Sequence, residues 1–547
     1  MNKLQTADYI VFIIYFILVS SYGIYIYNRK KAKSTSSKDF FLAEGSLTWW
    51  AIGASLIASN ISAEHFIGMS GSGFALGLAI STYEWMAAAT LIIVAIFIIP
   101  MYLKNKIFTM PQFLAKRYDG TVSTIMAVIW LLLYVFVNLT SIIYLGALAI
   151  SSIAPISFGA CVIGLSIFSI IVTLGGMKVI GYTDVFQVLV LILGGLVTTY
   201  LALTLLSEQF GFGKDLLKGL SILRKEAPEH FHMIFDKSNP HYMELPGMSV
   251  LIGGMLINNL AYWGCNQYIV QRALGADLKT ARKGILFAAF LKMIVPVIAV
   301  LPGIAMYVMH HNGMFQKEMM DFTDPLHPVL KSDNAYPTLM NLLPAGLKGV
   351  AFAALTAAIV ASLAGKANSI STIFSLDIYK KYINKEASER KLVITGRWAV
   401  IIAMLIGAIV APSLKTLDQA YQFIQEYSGF FSPGVLAIFL LGMFWKKTTA
   451  AAGLAGALIT VPISIVLKKL PVWTSGGFPN YPFLDRMTIA FFVIVIVMVT
   501  ISLIKPKPEN DTHVMEMDTS LFKVSPGFIV GSVIICGILT ALYTVFW

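Results

Sequence analysis

Two short stretches decide the fold of this chain: S-N-I-S-A-E-H at 59–65 and N-N-L-A-Y-W-G at 258–264. Each lies inside a long apolar run, 48–73 and 247–273 respectively. Polar, helix-weak clusters at the middle of a bilayer-length span are costly in lipid unless they line a cavity. Numbered along the chain, they open the second and seventh spans, five helices apart. That spacing predicts an inverted repeat of five plus five helices, in which paired broken helices form a midplane binding site. Two polar seams in an ordinary bundle would give the same spacing, and that alternative stays open here.

The composition fixes the class around these stretches. Of 547 residues, 57% are hydrophobic and only 12% are charged, whereas soluble domains carry about 25% charged residues. A water-facing surface cannot be built from that stock. Three Cys and 12% aromatic residues exclude collagen-like, disordered and disulfide-scaffold classes. Apolar runs recur along the whole length as bilayer-length stretches, so the predicted class is an all-α polytopic membrane protein; a membrane barrel would show alternating segments of roughly ten residues. Cys161, Cys265 and Cys536 sit in apolar stretches without paired or metal-ligand spacing, and read as small core residues.

A bilayer core of about 30 Å needs about 20 apolar residues per helix. This criterion predicts fourteen spans, near 8–27, 48–73, 77–102, 121–150, 155–177, 182–206, 247–273, 279–310, 343–379, 393–412, 419–444, 449–468, 487–504 and 526–546. They form a single transporter domain over 1–547. Its first repeat is 48–206, its second is 247–444, and the helices at 8–27 and 449–546 are peripheral. The first span has one Lys before it, too long an apolar stretch and no small-x-small site after it, so it reads as a retained helix rather than a cleaved signal.

The net charge of +12 is held in short segments between spans and implies no nucleic acid. Arg29, Lys30, Lys31, Lys33 and Lys38; Lys104, Lys106, Lys116 and Arg117; Arg272, Lys279, Arg282 and Lys283; and Lys380, Lys381, Lys385, Arg390, Lys391 and Arg397 fall on alternate crossings. The positive-inside rule makes that side cytoplasmic and puts both termini outside, in a cell inner (plasma) membrane. No catalytic constellation, phosphate loop or metal motif is present, and no soluble domain of any size remains, so an enzyme is not expected.

The stretch K-D-F-F-L-A-E-G-S-L-T-W-W-A-I-G-A-S-L-I-A-S-N-I-S-A-E-H-F-I-G-M-S-G-S-G (38–73) closely resembles the solute:sodium symporter family, as do Y-E-W-M (83–86), Y-T-D-V-F-Q-V (182–188), N-Q-Y-I-V-Q-R (266–272) and Y-S-G-F-F-S-P-G (427–434). The likeness is greatest to the sodium/glucose branch. It implies fourteen helices, a five-plus-five core of the leucine-transporter type, sodium-driven monosaccharide uptake by alternating access, a tendency to homo-oligomers, and no cofactor beyond sodium as co-substrate.

A sugar presents hydroxyl groups and weakly apolar ring faces, so its site needs amides, a carboxylate, an ammonium and an aromatic platform away from water. The intramembrane polar residues Asn60, His65, Glu84, Asn138, Asn259, Lys292 and Gln425 supply these, and ionisable groups inside spans are functional candidates. Glu84 and Lys292 could equally neutralise one another as an ion pair. By resemblance, Glu84, Asn259, Lys292 and Gln425 match sugar-contacting positions, with Asn138 a weaker match. Tyr262 matches the inner gate, braced by Asn60; Trp263 beside it is either gate or core. Met69, Tyr83 and Tyr421 would roof the site, or simply pack.

His65 and Ala87 replace a Gln and a Ser of the bacterial galactose-transporting members and look more like the animal sodium/glucose branch. An imidazole can bond a hydroxyl from either nitrogen. This favours a site that takes glucose as well as galactose, with myo-inositol as a competitor. Sodium takes hard oxygen ligands, and the resemblance places them at the carbonyls of Ala58, Ile61 and Ala358 and the hydroxyl of Ser362. Position 361, the expected partner hydroxyl, is Ala361. Lys366 stands one turn beyond Ser362 on the same face. It could snorkel to the cytoplasmic side, pair with Asp184 (which matches a position near the family's sodium exit), or stand in for the ion. These two departures support a weakly coupled or sodium-independent uniporter or sensor as the competing reading.

Overall fold

The computed structural model describes residues 4–30, 47–174, 177–321, 329–416, 420–508 and 513–547. The basic residues at 31–38 and the start of the 38–73 motif lie outside the described residues. Regular structure is almost wholly helical. The one sheet among the described residues is a short antiparallel pair, Met320–Asp321 with Val329–Leu330. Among the described residues, eleven helical stretches are long and apolar enough to cross a bilayer. On their flanks Leu193, Trp398, Ile409, Ile496 and Val533 are exposed, as lipid-facing positions should be.

The two predicted interruptions shorten helices that would otherwise span. Trp49–Asn60 ends at Ile61, whose backbone is extended (φ −73°, ψ 123°), and the chain resumes as a π-helical turn, Glu64–Met69, that runs into Ser70–Leu76. Twelve residues at about 1.5 Å each make a helix too short for a bilayer core. The second interruption does not fall where the polar cluster suggested. Asn258, Asn259 and their neighbours are helical within Gly254–Cys265, and the break comes at Asn266 (φ −102°, ψ 125°) before Gln267–Leu274. The cluster stays helical because its amides find partners there. Asn259 Nδ2 donates to the Met255 carbonyl at 3.2 Å, and Asn258 Oδ1 accepts the Ser432 hydroxyl at 2.8 Å.

Other irregularities lie near the same depth. The expected span 121–150 contains a π-helical stretch, Leu133–Leu139, that carries Asn138; such bulges often mark functional positions. The expected span 419–444 is divided into Ala420–Ser428 and Ser432–Phe444, an interruption the hydropathy does not reveal. Gly77–Ser81 forms a 3₁₀ turn ahead of Thr82–Ile93. The turn is entered at Gly77 with φ +73°, where a side chain would strike the His230 carbonyl.

Leu278–His311 is the helix against which both halves of the first broken helix pack. Backbones approach through glycine pairs on either side of the break. A Cβ at Gly53 would lie 2.6 Å from the Gly284 carbonyl, and one at Gly303 would lie 2.0 Å from the Ser70 carbonyl. Small residues of this kind are how helices close on one another without a hydrophobic driving force. Pro296 and Pro302 interrupt the hydrogen bonding of the same helix. Pro296 removes the donor that would satisfy the Lys292 carbonyl four residues earlier.

Part of the charge expected in loops is instead internal. Arg117 and Arg272 are each 1% exposed and Arg282 is buried. Their guanidinium groups find polar partners inside: Arg272 donates to Ser55 and faces Asp184, Arg282 donates to the Leu521 and Lys523 carbonyls, and Arg117 closes a helix end. Arg117 donates through Nε to the Gly442 carbonyl (2.6 Å), through Nη1 to Thr448 (3.1 Å) and through Nη2 to Trp445 (3.0 Å), carbonyls at and beyond the C-terminus of Ser432–Phe444. Cys161, Cys265 and Cys536 are all free. In the segment after the long Met177–Gln209 helix, Asp215 caps Leu216–Glu226, and the Met233 amide bonds the Phe546 carbonyl, which ties the segment to the C-terminal helix.

Arg117→Met should leave these carbonyls unsatisfied and cost at least about 2 kcal/mol, since bonds to a charged donor exceed neutral ones. A clear fall in the melting temperature of the purified protein in detergent is expected. The exposed Lys447→Met should leave it unmoved. Equal melting of the two variants would contradict the capping role.

Candidate functional site

A cavity of about 110 Å³ lies between the two helix breaks. It brings together most of the residues singled out in the sequence: Asn60, His65, Tyr83, Glu84, Asn138, Asn259, Tyr262, Trp263, Lys292, Lys366, Tyr421 and Gln425 all line it. Met69 does not. It is fully buried in the core, because the π-helical turn Glu64–Met69 faces the cavity with Glu64 and His65 at its start.

Glu84 and Lys292 form the centre. Glu84 sits in the first turn of Thr82–Ile93, where the helix dipole favours a carboxylate. Lys292 comes from Leu278–His311, one turn before Pro296. The ammonium meets Glu84 Oε2 at 2.5 Å and also donates to Asn60 Oδ1. It lies 5.0 Å above the Trp263 ring. Lys292 is wholly buried and Glu84 is 3% exposed. The ion-pair alternative weighed in the sequence is therefore how these groups are arranged, inside the cavity. His65 Nε2 approaches Glu84 Oε1 at 3.3 Å, while its Nδ1 accepts the Ser62 amide at 3.3 Å. Both ring nitrogens are engaged within the protein. This corrects the expectation of an imidazole with a nitrogen to spare: His65 orients the second carboxylate oxygen.

Aromatic residues close the cavity. Tyr262 accepts a bond from Asn60 Nδ2 at 2.8 Å and another from the Tyr268 hydroxyl. Trp263 meets Tyr262 edge-on, centroids 5.1 Å apart. On the other side Tyr83 and Tyr421 meet edge to face at 5.5 Å. The Tyr83 hydroxyl reaches Gln422 at 3.4 Å, and Gln425 Nε2 donates to the Tyr421 hydroxyl at 2.8 Å.

The residues expected to hold an ion do not line this cavity, although Asn60 and Lys366, their neighbours in sequence, do. Ala58, Ile61, Ala358 and Ser362 are all buried, and the helix Leu347–Thr372 packs on Trp49–Asn60. The break leaves last-turn carbonyls without intrahelical partners. The Ile61 amide takes that of Ile57 (2.8 Å), and the Ser362 hydroxyl donates to that of Ser59 (2.9 Å). Ala361 adds no oxygen. Lys366 is 2% exposed, so it does not snorkel outward. Nor does it meet Asp184, whose Oδ2 accepts Ser55 Oγ at 2.5 Å and lies 3.8 Å from Arg272. Lys366 Nζ donates instead to Ser362 Oγ at 3.2 Å and lies 4.9 Å above the Tyr268 ring.

Sequence reasoning missed Glu64, Asn266, Tyr268 and Arg272. Glu64 Oε1 accepts the Ser141 hydroxyl at 2.6 Å, and the carboxylate lines the cavity. Asn266, at the second break, accepts the Tyr134 hydroxyl. Glu64 was visible within S-N-I-S-A-E-H, and Tyr268 and Arg272 within N-Q-Y-I-V-Q-R, but nothing in their spacing shows which way they face.

A helical membrane protein with two interrupted helices around a cavity lined by polar side chains is built as a transporter. The sodium:solute symporter family model matches residues 40–460. The sodium/glucose cotransporter of Vibrio parahaemolyticus is 45% identical over 549 residues, covering 100% of this chain and 99% of that protein. The sodium/myo-inositol cotransporter 2 of Sus scrofa is 32% identical over 485 residues, covering 85% and 70%. A substrate-bound, outward-open Na⁺-coupled sialic acid symporter superposes with a TM-score of 0.76 at 21% identity, over 92% of this chain and 99% of that one, and shares the fold. The chain belongs to the sodium:solute symporter family.

Breaking the buried ion pair from one side should cost about 3–5 kcal/mol, because an uncompensated charge remains, while removing both members costs much less. Glu84→Gln and Lys292→Met should each melt well below the parent protein. The double variant should recover most of the loss. Strictly additive losses would mean that the pair is not coupled.

Proposed function

We propose that this protein imports a monosaccharide, glucose or galactose, in symport with sodium by alternating access. The observation that carries the reading is the cavity lined by polar side chains between two helix breaks, in a chain similar over its full length to a sodium/glucose cotransporter. Fourteen crossings in a five-plus-five arrangement, the repeats at 48–206 and 247–444, and both termini outside the cell membrane complete the proposal. The fold shared with the sialic acid symporter supports the arrangement.

Within the cavity each proposed ligand has a distinct task. Lys292 and His65 already hold Glu84, so the carboxylate is fixed and can accept from sugar hydroxyls through its remaining lone pairs. Asn138, Asn259 and Gln425 offer amide donors and acceptors from three further helices. Tyr262 closes the inner side with a ring face against the pyranose, and Tyr83 and Tyr421 close the outer side. Sodium binds at the carbonyls of Ala58, Ile61 and Ala358 and the hydroxyl of Ser362, beside the same helix end that carries Asn60. Asp184, paired with Arg272, lines the ion's way inward. Each sodium ion carried in contributes about 2.3 kcal/mol per 100 mV of membrane potential.

Counterflow of labelled sugars into proteoliposomes tests the substrate. Glucose and galactose should exchange, faster with sodium than with potassium outside. Exchange of myo-inositol alone, the substrate that relatives' names carry, would replace the sugar assignment; exchange indifferent to the cation would favour the uniporter.

Tyr262→Phe keeps the ring and loses the bonds to Asn60 and Tyr268, whereas Tyr262→Ala loses both. Since a stacked ring acts chiefly by contact, the Phe variant should retain partial coupled uptake and the Ala variant should leak or fail. Equal loss would assign the gate to the hydroxyl.

A further inference from the structure

We propose that Lys366 is a tethered cation that occupies Ser362, one ligand of the sodium site, until sodium displaces it, so that the chain carries its own competitor for the ion. The inference rests on the reading of Ser362 as a sodium ligand, and goes beyond it by assigning a role to a residue that the transport mechanism does not otherwise use.

The geometry is that of an occupied cation site. Lys366 Nζ donates to Ser362 Oγ at 3.2 Å, and Ser362 Oγ donates to the Ser59 carbonyl at 2.9 Å. A hydroxyl has one hydrogen and two lone pairs. Its hydrogen is directed to Ser59 and one lone pair to the ammonium, which is how it would be shared with a bound ion. Leu347–Thr372 carries both the ammonium and the hydroxyl, and the hydroxyl links it to the end of the first broken helix, the two elements that sodium would bridge. Ala361 offers a methyl group where a second hydroxyl would strengthen the ion's hold, so the competition is uneven in favour of the lysine.

The surroundings permit displacement. The ammonium is held by one hydroxyl and the face of Tyr268, with no carboxylate in ion-pair contact among the described residues. Asp184 cannot draw it away, being engaged by Ser55 and Arg272. Lys366 also lines the central cavity, as does Glu64. An arriving sodium ion can therefore drive the ammonium from Ser362 toward that carboxylate without the lysine leaving the protein interior. Two positive charges cannot share one hydroxyl at contact distance, because their repulsion in a buried setting is barely screened. No proton needs to move. Sodium dependence is then shallow, because in sodium-free conditions the Ser362–Ser59 bond, with a Ser362 lone pair taken by the ammonium, already joins the elements that the ion would organise.

Equilibrium binding of labelled glucose to the purified full-length protein, titrated with sodium at constant ionic strength in choline, tests this. Lys366→Met should lower the half-saturating sodium concentration by about tenfold or more, the worth of one charge-assisted hydrogen bond, and should reduce sodium-free binding. Ser362→Ala should raise that concentration. Should the Met variant elute as aggregate, Lys366→Gln, uncharged and polar, carries the same expectation. If Ser362→Ala leaves the sodium curve unchanged, the ion binds elsewhere and the underlying reading fails. If Ser362→Ala weakens sodium while the Lys366 variants leave sodium affinity unchanged or lower it, the tethered-cation inference is overturned.

Discussion

A carboxylate and an ammonium facing each other inside an apolar bundle constrain everything around them. Neither Glu84 nor Lys292 can be left alone at that depth, since an unpaired buried charge costs far more than a pair returns. Their contact fixes Thr82–Ile93 against Leu278–His311. The spare ammonium hydrogens reach Asn60, at the very end of the first broken helix, and Asn60 passes a further bond to Tyr262 in the second. Four elements are registered by one short run of polar contacts, and the cavity is what remains between them. His65 and Trp263 complete the enclosure, one on the carboxylate and the other beneath the ammonium.

The same helix end joins the two proposed binding regions. Ser59 and Asn60 are consecutive, yet the Ser59 carbonyl meets Ser362 while the Asn60 side chain meets Lys292 and Tyr262. A change of occupancy at the ion region is thus one residue away from the sugar cavity and its inner gate. Coupling across so short a span needs no extended pathway; it needs only that the broken helix end have two arrangements, each favoured by a different occupancy. Lys366 touches both regions at once, through Ser362 and through the cavity wall.

Much of the fold was legible from hydropathy, because a bilayer core demands apolar stretches of a set length. The first break was legible as well: S-N-I-S-A-E-H has no reason to sit in lipid. The second was misplaced. Asn258 and Asn259 look like helix breakers in sequence, but Ser432 and the Met255 carbonyl satisfy them, and the chain opens instead at Asn266. The division of the 419–444 span was hidden because the strongly apolar Ser432–Phe444 dominates the hydropathy of the whole run, although Ala420–Ser428 holds Gln422, Gln425 and Glu426. Residue identities in the cavity could be read from the polar inventory of the spans, together with two of their pairings, Glu84 with Lys292 and Tyr262 with Asn60. The engagement of both His65 nitrogens and the preference of Lys366 for Ser362 over Asp184 rest on near neighbours whose side-chain directions the spacing does not give, whereas the burial of Arg117 and Arg272 depends on groups hundreds of positions away. Loop charge was overcounted for the same reason, because a guanidinium finds an interior home wherever helix-end carbonyls converge.

The central claim is that sugar and sodium move inward together, each dependent on the other. The most direct measurement is labelled glucose accumulation in proteoliposomes with an imposed inward sodium gradient and a potassium diffusion potential, inside negative. Accumulation above the external concentration, reduced when the potential is collapsed and lost when the sodium gradient is removed, is the result predicted. Equilibration to the external concentration and no further, whatever the sodium gradient and potential, would contradict it.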